Sequence, residues 1–334
     1  MKVKKIGLVG IGRMGSRHVI AINQLKKAKL VAVCDLKKNN LKKHFVKKYY
    51  DYSKMMSLES IDLLVIATHA SSHFPIIKSA IKHGIRKILC EKPLASSLAE
   101  AKEIVKLCKK KKVRIATNHS RRWVLSYQKL KKLISKGVIG KIRNINFEMG
   151  GGQIGSNGSH VMDLIRYLTN EEPKKVLGKI DKNRKKNPRG KTFIDPGGYG
   201  MFILNDGSRM FVDMSEDYGL PFFVKVMGTY GRILIDEKSK RWEIYTRPKK
   251  FRKLALTKRV KLNKIKFTGE SIDQIKCSKQ CLKELLSNKK IQCTAYDGYK
   301  SLEMSVGIHN SNFKNNFITF PVSKIFFRKK FNFA

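Results

Sequence analysis

Two short stretches of this sequence carry residue types suited to proton and charge chemistry. The first is Glu91-Lys92-Pro93, directly after the apolar run Lys87 to Cys90. A lysine at the end of a strand points its ammonium into the mouth of a cleft, where it can bond a substrate oxygen and lower the pKa of a neighbouring acid or hydroxyl. Pro93 stiffens that turn, a cis bond being one way to do so. The second stretch is Ser156-Asn-Gly-Ser-His160-Val-Met-Asp163. His160 and Asp163 stand three apart and share a helix face, so the carboxylate can orient the imidazole or fix its charge. The plain alternatives are a surface lysine among many and a lone solvated or core histidine. The strand-end place of Lys92 and the glycine turn before His160 favour chemistry.

A third stretch indicates what these groups work with. In Ile6-Gly-Leu-Val-Gly10-Ile-Gly12-Arg-Met-Gly15, a short apolar strand runs into glycines at G-x-G-x-x-G spacing, and Ser16 to Leu25 continue as a helix. Gly10 permits a tight turn, Gly12 lets the backbone approach a pyrophosphate, and Gly15 lets the helix pack on the strand, with free N–H groups aimed at the anion. A second strand, Leu30 to Cys34, ends in Asp35, placed to take ribose hydroxyls. Asp35 favours NAD over NADP, because a 2′-phosphate meets its charge; Lys37 and Lys38 pull the other way and leave NADP open.

The elements that must position these residues alternate strand and helix in the N-terminal half, which predicts a doubly wound parallel sheet. After Asp35 the pattern gives a helix over Asn39 to Lys48, a strand Leu63 to Ala67, a helix Pro75 to His83 ended by Gly84, and a strand Lys87 to Cys90. A helix capped at Ser97 and the strand Arg114 to Thr117 follow. The boundary falls near Asn118 to Trp123, dividing the chain into a dinucleotide-binding domain, 1–120, and a substrate-binding and oligomerisation domain, 121–334. In the second, a helix Tyr127 to Lys136, a strand Lys141 to Met149 and a helix His160 to Thr169 precede a mostly antiparallel open sheet. Its first hairpin, Tyr199 to Leu204 and Arg209 to Met214, turns at Asn205-Asp-Gly-Ser208. Further strands are expected at Phe222 to Met227, Arg232 to Asp236 and Trp242 to Thr246. The basic segments Asp181 to Lys191 and Arg247 to Lys266 read as loops, and helices near Ile272 to Ser287 and Gly298 to Asn310 close the chain.

The 334 residues carry a formal net charge of +47, which raises nucleic acid as a partner. The cations do not gather around aromatics or a DNA-reading motif, so no specific nucleic acid is expected, although the field draws anionic ligands. No apolar run approaches a membrane span and Met1-Lys-Val-Lys-Lys leads straight into the first strand, so neither membrane nor signal peptide is expected. Six cysteines lack metal-site spacing and read as reduced thiols of a cytoplasmic protein without a metal; Cys277 and Cys281 share a core-facing helical stripe.

Taken together the motifs resemble the Gfo/Idh/MocA family of NAD(P)-dependent oxidoreductases. The glycine motif, Asp35, the Ala67-Thr68 turn, Glu91-Lys92-Pro93 and Gly158-x-His160-x-x-Asp163 occur in that family's order. The likeness extends through Met227-Gly-Thr-Tyr-Gly231-Arg-Ile-Leu-Ile235 to Cys293-Thr-Ala-Tyr-Asp-Gly298. The resemblance implies an α/β fold: an N-terminal Rossmann domain and a C-terminal α+β domain on a large open sheet, assembled as a homodimer or homotetramer. It implies hydride transfer between a nicotinamide and a secondary alcohol or ketone of a sugar, cyclitol or nucleotide-linked sugar. Lys92 matches the family's active-site lysine and His160 its catalytic histidine. Gly10, Ile11, Gly12, Arg13, Met14 and Gly15 then cradle the pyrophosphate and Asp35 holds the adenosine ribose. Thr68, His73, Glu91 and Lys92 line the nicotinamide side. Substrate would meet Lys92, Ser156, Asn157, His160 and Asp163, with Arg121 and Arg122 either reaching an anionic substrate or standing as a solvated pair. The family usually places an Asp four residues before the histidine, where this chain has Ser156; members acting on nucleotide-linked sugars also lack a strict Asp there. The rival reading is a regulator of the same fold that binds dinucleotide without turnover.

Overall fold

The computed structural model describes residues 3–43, 45–182, 187, 189–287 and 289–333. Short apolar runs with no exposed face need cover on both sides, and Leu63–Ile66 and Lys87–Cys90, apolar after its first residue, sit as inner strands of a parallel sheet. The strands are β1 (Lys4–Val9), β2 (Ala28–Cys34), β3 (Lys47–Tyr49), β4 (Leu63–Ile66), β5 (Lys87–Cys90) and β6 (Arg114–Thr117), ordered β3-β2-β1-β4-β5-β6. All five pairings are parallel. Helices α1 (Arg13–Asn23), α2 (Lys38–Leu41), α3 (Tyr52–Leu58), α4 (Ala70–Lys82) and α5 (Leu98–Lys110) connect them. Ser97 caps α5 by accepting the Glu100 N–H at 3.2 Å, and Asp51 caps α3. The strand order reverses between β1 and β4, so the carboxyl ends of β1, β2 and β4 surround the crevice where doubly wound sheets bind ligands.

A second compact unit begins at Val124. Its elements are α6 (Leu125–Ser135), β7 (Ile142–Glu148), α7 (Gly158–Thr169), β8 (Pro173–Ile180), β9 (Gly198–Leu204), β10 (Arg209–Asp213), β11 (Phe223–Gly228), β12 (Gly231–Asp236), β13 (Arg241–Thr246) and β14 (Asn263–Ile265). The chain ends with α8 (Gln274–Leu286), α9 (Ala295–Lys314), β15 (Ile318–Thr319) and α10 (Lys324–Arg328). Among the described residues nine strands form one sheet, β14-β13-β12-β11-β7-β10-β9-β8-β15, antiparallel except where β10 runs alongside β7. Burial alternates along β9 and β10, so one face of the sheet is packed and the other open. On the packed side Ile308 of α9 lies against Gly178 and Gly200, where the missing Cβ atoms leave it room.

Several expectations change. The helix over Asn39 to Lys48 is only the single turn α2, and Lys47–Tyr49 pairs with β2 as an edge strand; His44 lies outside the described residues. The loop Arg247 to Lys266 holds a 3-10 turn, Lys249–Phe251, and β14. Of the loop Asp181 to Lys191, residues 183–186 and 188 lie outside the described residues. The expected unbroken stretch 121–334 is divided: Asp273–Leu302 and Phe327–Ala334 cluster with Met1–Trp123. The reason is packing, since Cys277, Cys281, Leu282 and Leu285 give α8 an apolar stripe that is buried with the first unit, and Cys293 and Thr294 add backbone bonds to the β6 edge.

The β1–α1 turn yields a stability contrast. Gly10 has φ +90, and a Cβ there would stand 2.7 Å from the Ala67 carbonyl oxygen; around Gly12 the space within 4 Å is open. Gly10→Ala should therefore lower unfolding free energy by about 2 kcal/mol or more. Gly12→Ala should fold normally but bind NAD weakly. Urea midpoints and NADH titration check both, and a stable Gly10→Ala variant would refute the strained-turn account.

Candidate functional site

The first unit gathers its ligand-facing groups at the strand ends. The N–H of Gly10 bonds the Cys34 carbonyl at 2.8 Å, joining the turn to the end of β2. Asp35 then accepts the Ile11 N–H at 2.7 Å and the Asn40 side chain at 3.0 Å on Oδ2, and the Lys37 N–H at 2.8 Å on Oδ1. A carboxylate has about four acceptor positions, so roughly one remains for a ribose hydroxyl. Helix α1 has no acidic residue in its first turn, and Arg13 and Met14 open it. Its N-terminal N–H groups and the bare Gly12 therefore suit an anion. A Cβ at Gly15 would overlap the Gly10 carbonyl, so glycine there lets the helix close on the turn.

Thr68 follows β4, and its hydroxyl accepts from Ser72 at 2.7 Å. His73 is fully buried in α4, with Nδ1 3.0 Å from the Pro93 carbonyl and Nε2 3.1 Å from the Thr68 carbonyl. It lies between the Thr68 loop and the Lys92–Pro93 turn, and the neutral ring, which has one N–H, donates to one of these two carbonyls at a time. Glu91, 6 % exposed, accepts His18 Nε2 at 2.7 Å and Asn118 Nδ2 at 2.6 Å, both on Oε1. Lys92 is half-buried beside it, and the Lys92–Pro93 peptide is cis. Arg122 does not meet the expectation of a substrate cation. It is 6 % exposed, donates to the Gln292 carbonyl at 2.6 Å and pairs with Asp297 at 3.0 Å, so its charge is consumed within the first unit. Arg121 is half-buried on the adjoining 3-10 turn.

In the second unit Ser156, Asn157, His160 and Asp163 lie at the start of α7. Ser156 and Asp163 are buried, Asn157 and His160 half-buried. The Asp195 carboxylate accepts the N–H groups of Gly155 at 2.7 Å and Ser156 at 2.8 Å, fixing the turn that leads into the helix. The Ser156 hydroxyl donates to Gln153 Oε1 at 3.1 Å. His18, Asn118, Gln153 and Asp195 were not among the expected site residues. Asn118 had a signal, its place at a strand end; His18 and Asp195 act on partners 73 and 39 positions away, which spacing does not display. Among the described residues no cluster of three His, Cys, Asp or Glu side chains could hold a metal, and no helix is long and apolar enough to cross a membrane.

Two buried groups make stability pH-dependent. Burial holds the His73 imidazole below its usual range, against the raising effect of the Thr68 and Pro93 carbonyls and Glu91. For Glu91 burial raises the carboxyl, but the His18 hydrogen bond and charge outweigh it and the net direction is down. In both cases the unfolded chain takes the proton first as pH falls. Stability should therefore decline below about pH 6.5 through His73 and further below about 4.3 through Glu91. Urea midpoints across this range measure it; His73→Gln should flatten the upper limb and Glu91→Gln the lower, and unchanged limbs would exclude these groups.

Residues 4–119 match a family model described as an oxidoreductase family with an NAD-binding Rossmann fold. The rhizopine catabolism protein MocA of Rhizobium meliloti is 28% identical over 246 residues, 68% of this chain and 76% of that protein. The myo-inositol 2-dehydrogenase of Thermotoga maritima is 25% identical over 259 residues, 70% of this chain and 75% of that one. Among solved structures, an oxidoreductase from Agrobacterium radiobacter in complex with NAD+, L-tartaric acid and magnesium superposes with a TM-score of 0.79. Its 18% identity, over 95% of this chain and 98% of that one, speaks for the fold alone.

Proposed function

As a member of the Gfo/Idh/MocA oxidoreductase family, to which it belongs, this chain, we propose, moves a hydride between a nicotinamide and the secondary alcohol or ketone of a sugar, a cyclitol or a derivative of either. The observation that carries the reading is the turn after β1, where open Gly12, the N-terminus of α1 and the Asp35 carboxylate meet. Gly10, Ile11, Gly12, Arg13, Met14 and Gly15 would hold the pyrophosphate and Asp35 the adenosine ribose. When bound, the nicotinamide supplies the hydride donor or acceptor. Lys92 donates to the substrate oxygen and steadies the charge that develops on it as its proton leaves. The His160 imidazole takes that proton in oxidation and returns it in reduction. Glu91 and His73 hold the Lys92 turn from below through the bonds described above.

The name of the T. maritima relative, a myo-inositol dehydrogenase, supports a polyol substrate. Six cysteines without a disulfide, five of them buried, fit a reducing cytoplasm. A homodimer or homotetramer fits the open sheet face. The second reading, a regulator that binds dinucleotide without turnover, is favoured by one observation, Ser156 where the family usually has a carboxylate.

Asp35 should make NAD(H) bind more tightly than NADP(H), because a 2′-phosphate loses the hydroxyl bond and meets like charge. Parallel NADH and NADPH fluorescence titrations decide this, and equal affinities would hand control to Lys37, Lys38 or Arg13.

Turnover should be sought by following NADH absorbance with a panel of cyclitols and sugars. On the substrate so found, Lys92→Ala and His160→Ala should each lower kcat by roughly 10² or more with NAD affinity little changed. Near-normal turnover in either variant removes that residue from the mechanism; no turnover on any substrate favours the regulator.

A further inference from the structure

Gln153 is a non-glycine residue with φ +72, flanked by Gly151 and Gly152, which also take positive φ. An ordinary side chain is strained in this region and stays there only where the surroundings over-determine it. Here they do so from two directions. The Gln153 carbonyl accepts the N–H groups of Asn157 at 2.9 Å and Gly158 at 3.0 Å, which extends the helical bonding one turn ahead of α7. Its side-chain Oε1 accepts the Ser156 hydroxyl at 3.1 Å and the Asn157 amide at 3.3 Å.

With the Ser156 hydroxyl and the Asn157 amide both donating, Oε1 is the accepting end of the glutamine amide. The Nε2 group, with two N–H donors, points the other way and bonds no described residue, and the side chain is half-buried. Asn157 and His160 stand three apart at the start of α7 and share one face, and Gln153 joins it through its bond to the Asn157 side chain. An aspartate at position 156 could only accept, and would take the Gln153 Nε2 donor; serine donates to Oε1 instead and leaves Nε2 available.

Three carboxylates are described at this corner. Asp195 lies on the Gly155 and Ser156 N–H groups, and Glu216 accepts the Gly197 N–H at 2.8 Å and sits against Gly152. Asp181 accepts the Glu216 N–H, and burial, with Glu216, Asp217 and Asp213 nearby, pushes its carboxyl up. An oxyanion would be repelled, whereas a hydroxyl or carbonyl oxygen would take the amide N–H without charge. Of the two arginines expected to meet an anionic substrate, Arg122 is paired with Asp297.

We propose that Gln153 is a substrate-binding and specificity-determining residue whose Nε2 group donates to an uncharged oxygen of a neutral polyol, and that sugar acids and sugar phosphates are disfavoured there. The inference rests on the dehydrogenase reading for its reaction, but it makes a claim about binding alone. Wild-type protein saturated with NADH should be stabilised against heat by myo-inositol or D-glucose, and not by D-gluconate or glucose 6-phosphate. Gln153→Met, which keeps length but loses the donor, should weaken that polyol response or raise the polyol KM roughly three- to tenfold, the scale of one lost hydrogen bond. NADH affinity should hold. Gln153→Gly should show the same polyol loss while its unliganded melting point stays level or rises, since glycine relieves the positive φ. Undiminished polyol binding in both variants, an equal fall in NADH affinity, absent polyol binding in the wild type, or preference for the acids would each overturn the proposal. Polyol binding that depends on Gln153 without any NADH formation would sink the dehydrogenase reading and leave the Gln153 assignment standing.

Discussion

One carboxylate holds the nucleotide end of the first unit together. Asp35 stands where β2 stops and reaches across to the Ile11 N–H in the turn after β1, while Gly10 bonds the last carbonyl of β2. The two neighbouring strands are thereby tied at their carboxyl ends, just where the parallel sheet reverses its order. That tie matters because the turn contains a glycine at φ +90 and a helix whose first N–H groups lack an acidic partner. Asp35, with the Gly10 bond to Cys34, holds both features in shape. The residue expected to hold a ribose is, before any ligand arrives, a structural bracket.

The same economy governs the other buried acids. A buried carboxylate is tolerated only when its oxygens are satisfied. Glu91 meets that condition at Oε1 with His18 and Asn118, drawing α1 and the end of β6 onto the turn that carries Lys92. Asp195 meets it with two consecutive N–H groups ahead of α7. In a chain of net charge +47 with 25 acidic residues, these acids are spent on holding loops, while the excess Lys and Arg leave a positive field outside. The field draws anions to the molecule; it does not say that an anion fits the site.

Much of this was legible in the sequence, for reasons visible at particular residues. Gly10, Gly12 and Gly15 each answer a separate local demand, so their spacing, with the strand ending in Asp35, conveyed the turn. The hairpin at Asn205-Asp-Gly-Ser208 announced β9 and β10 through turn chemistry. What stayed hidden lacked a local signature. Lys-Lys-Tyr in β3 and Asn-Lys-Ile in β14 are three-residue edge strands with exposed side chains, and nothing in their composition separates them from loop. Arg122 looked like half of a solvated pair, because its partner Asp297 lies 175 residues away. His18 and Glu91 are 73 apart, and only the packing of α1 on the sheet brings them within 2.7 Å.

The departure at Ser156 also changes meaning once the backbone is in view. Read as a single substitution, it removes a carboxylate and hints at lost function. In the structure the position belongs to a group in which Asp195 binds the backbone of residues 155 and 156, the Ser156 hydroxyl binds Gln153, and Gln153 binds Asn157. A negative charge remains near the start of α7, but it is turned to the backbone, and what the side chains share is a neutral chain of donors and acceptors. Such a chain orients groups without placing a second charge beside His160. The replacement of aspartate by serine therefore trades charge for orientation, and orientation by hydrogen bonds suits a substrate whose oxygens are themselves uncharged.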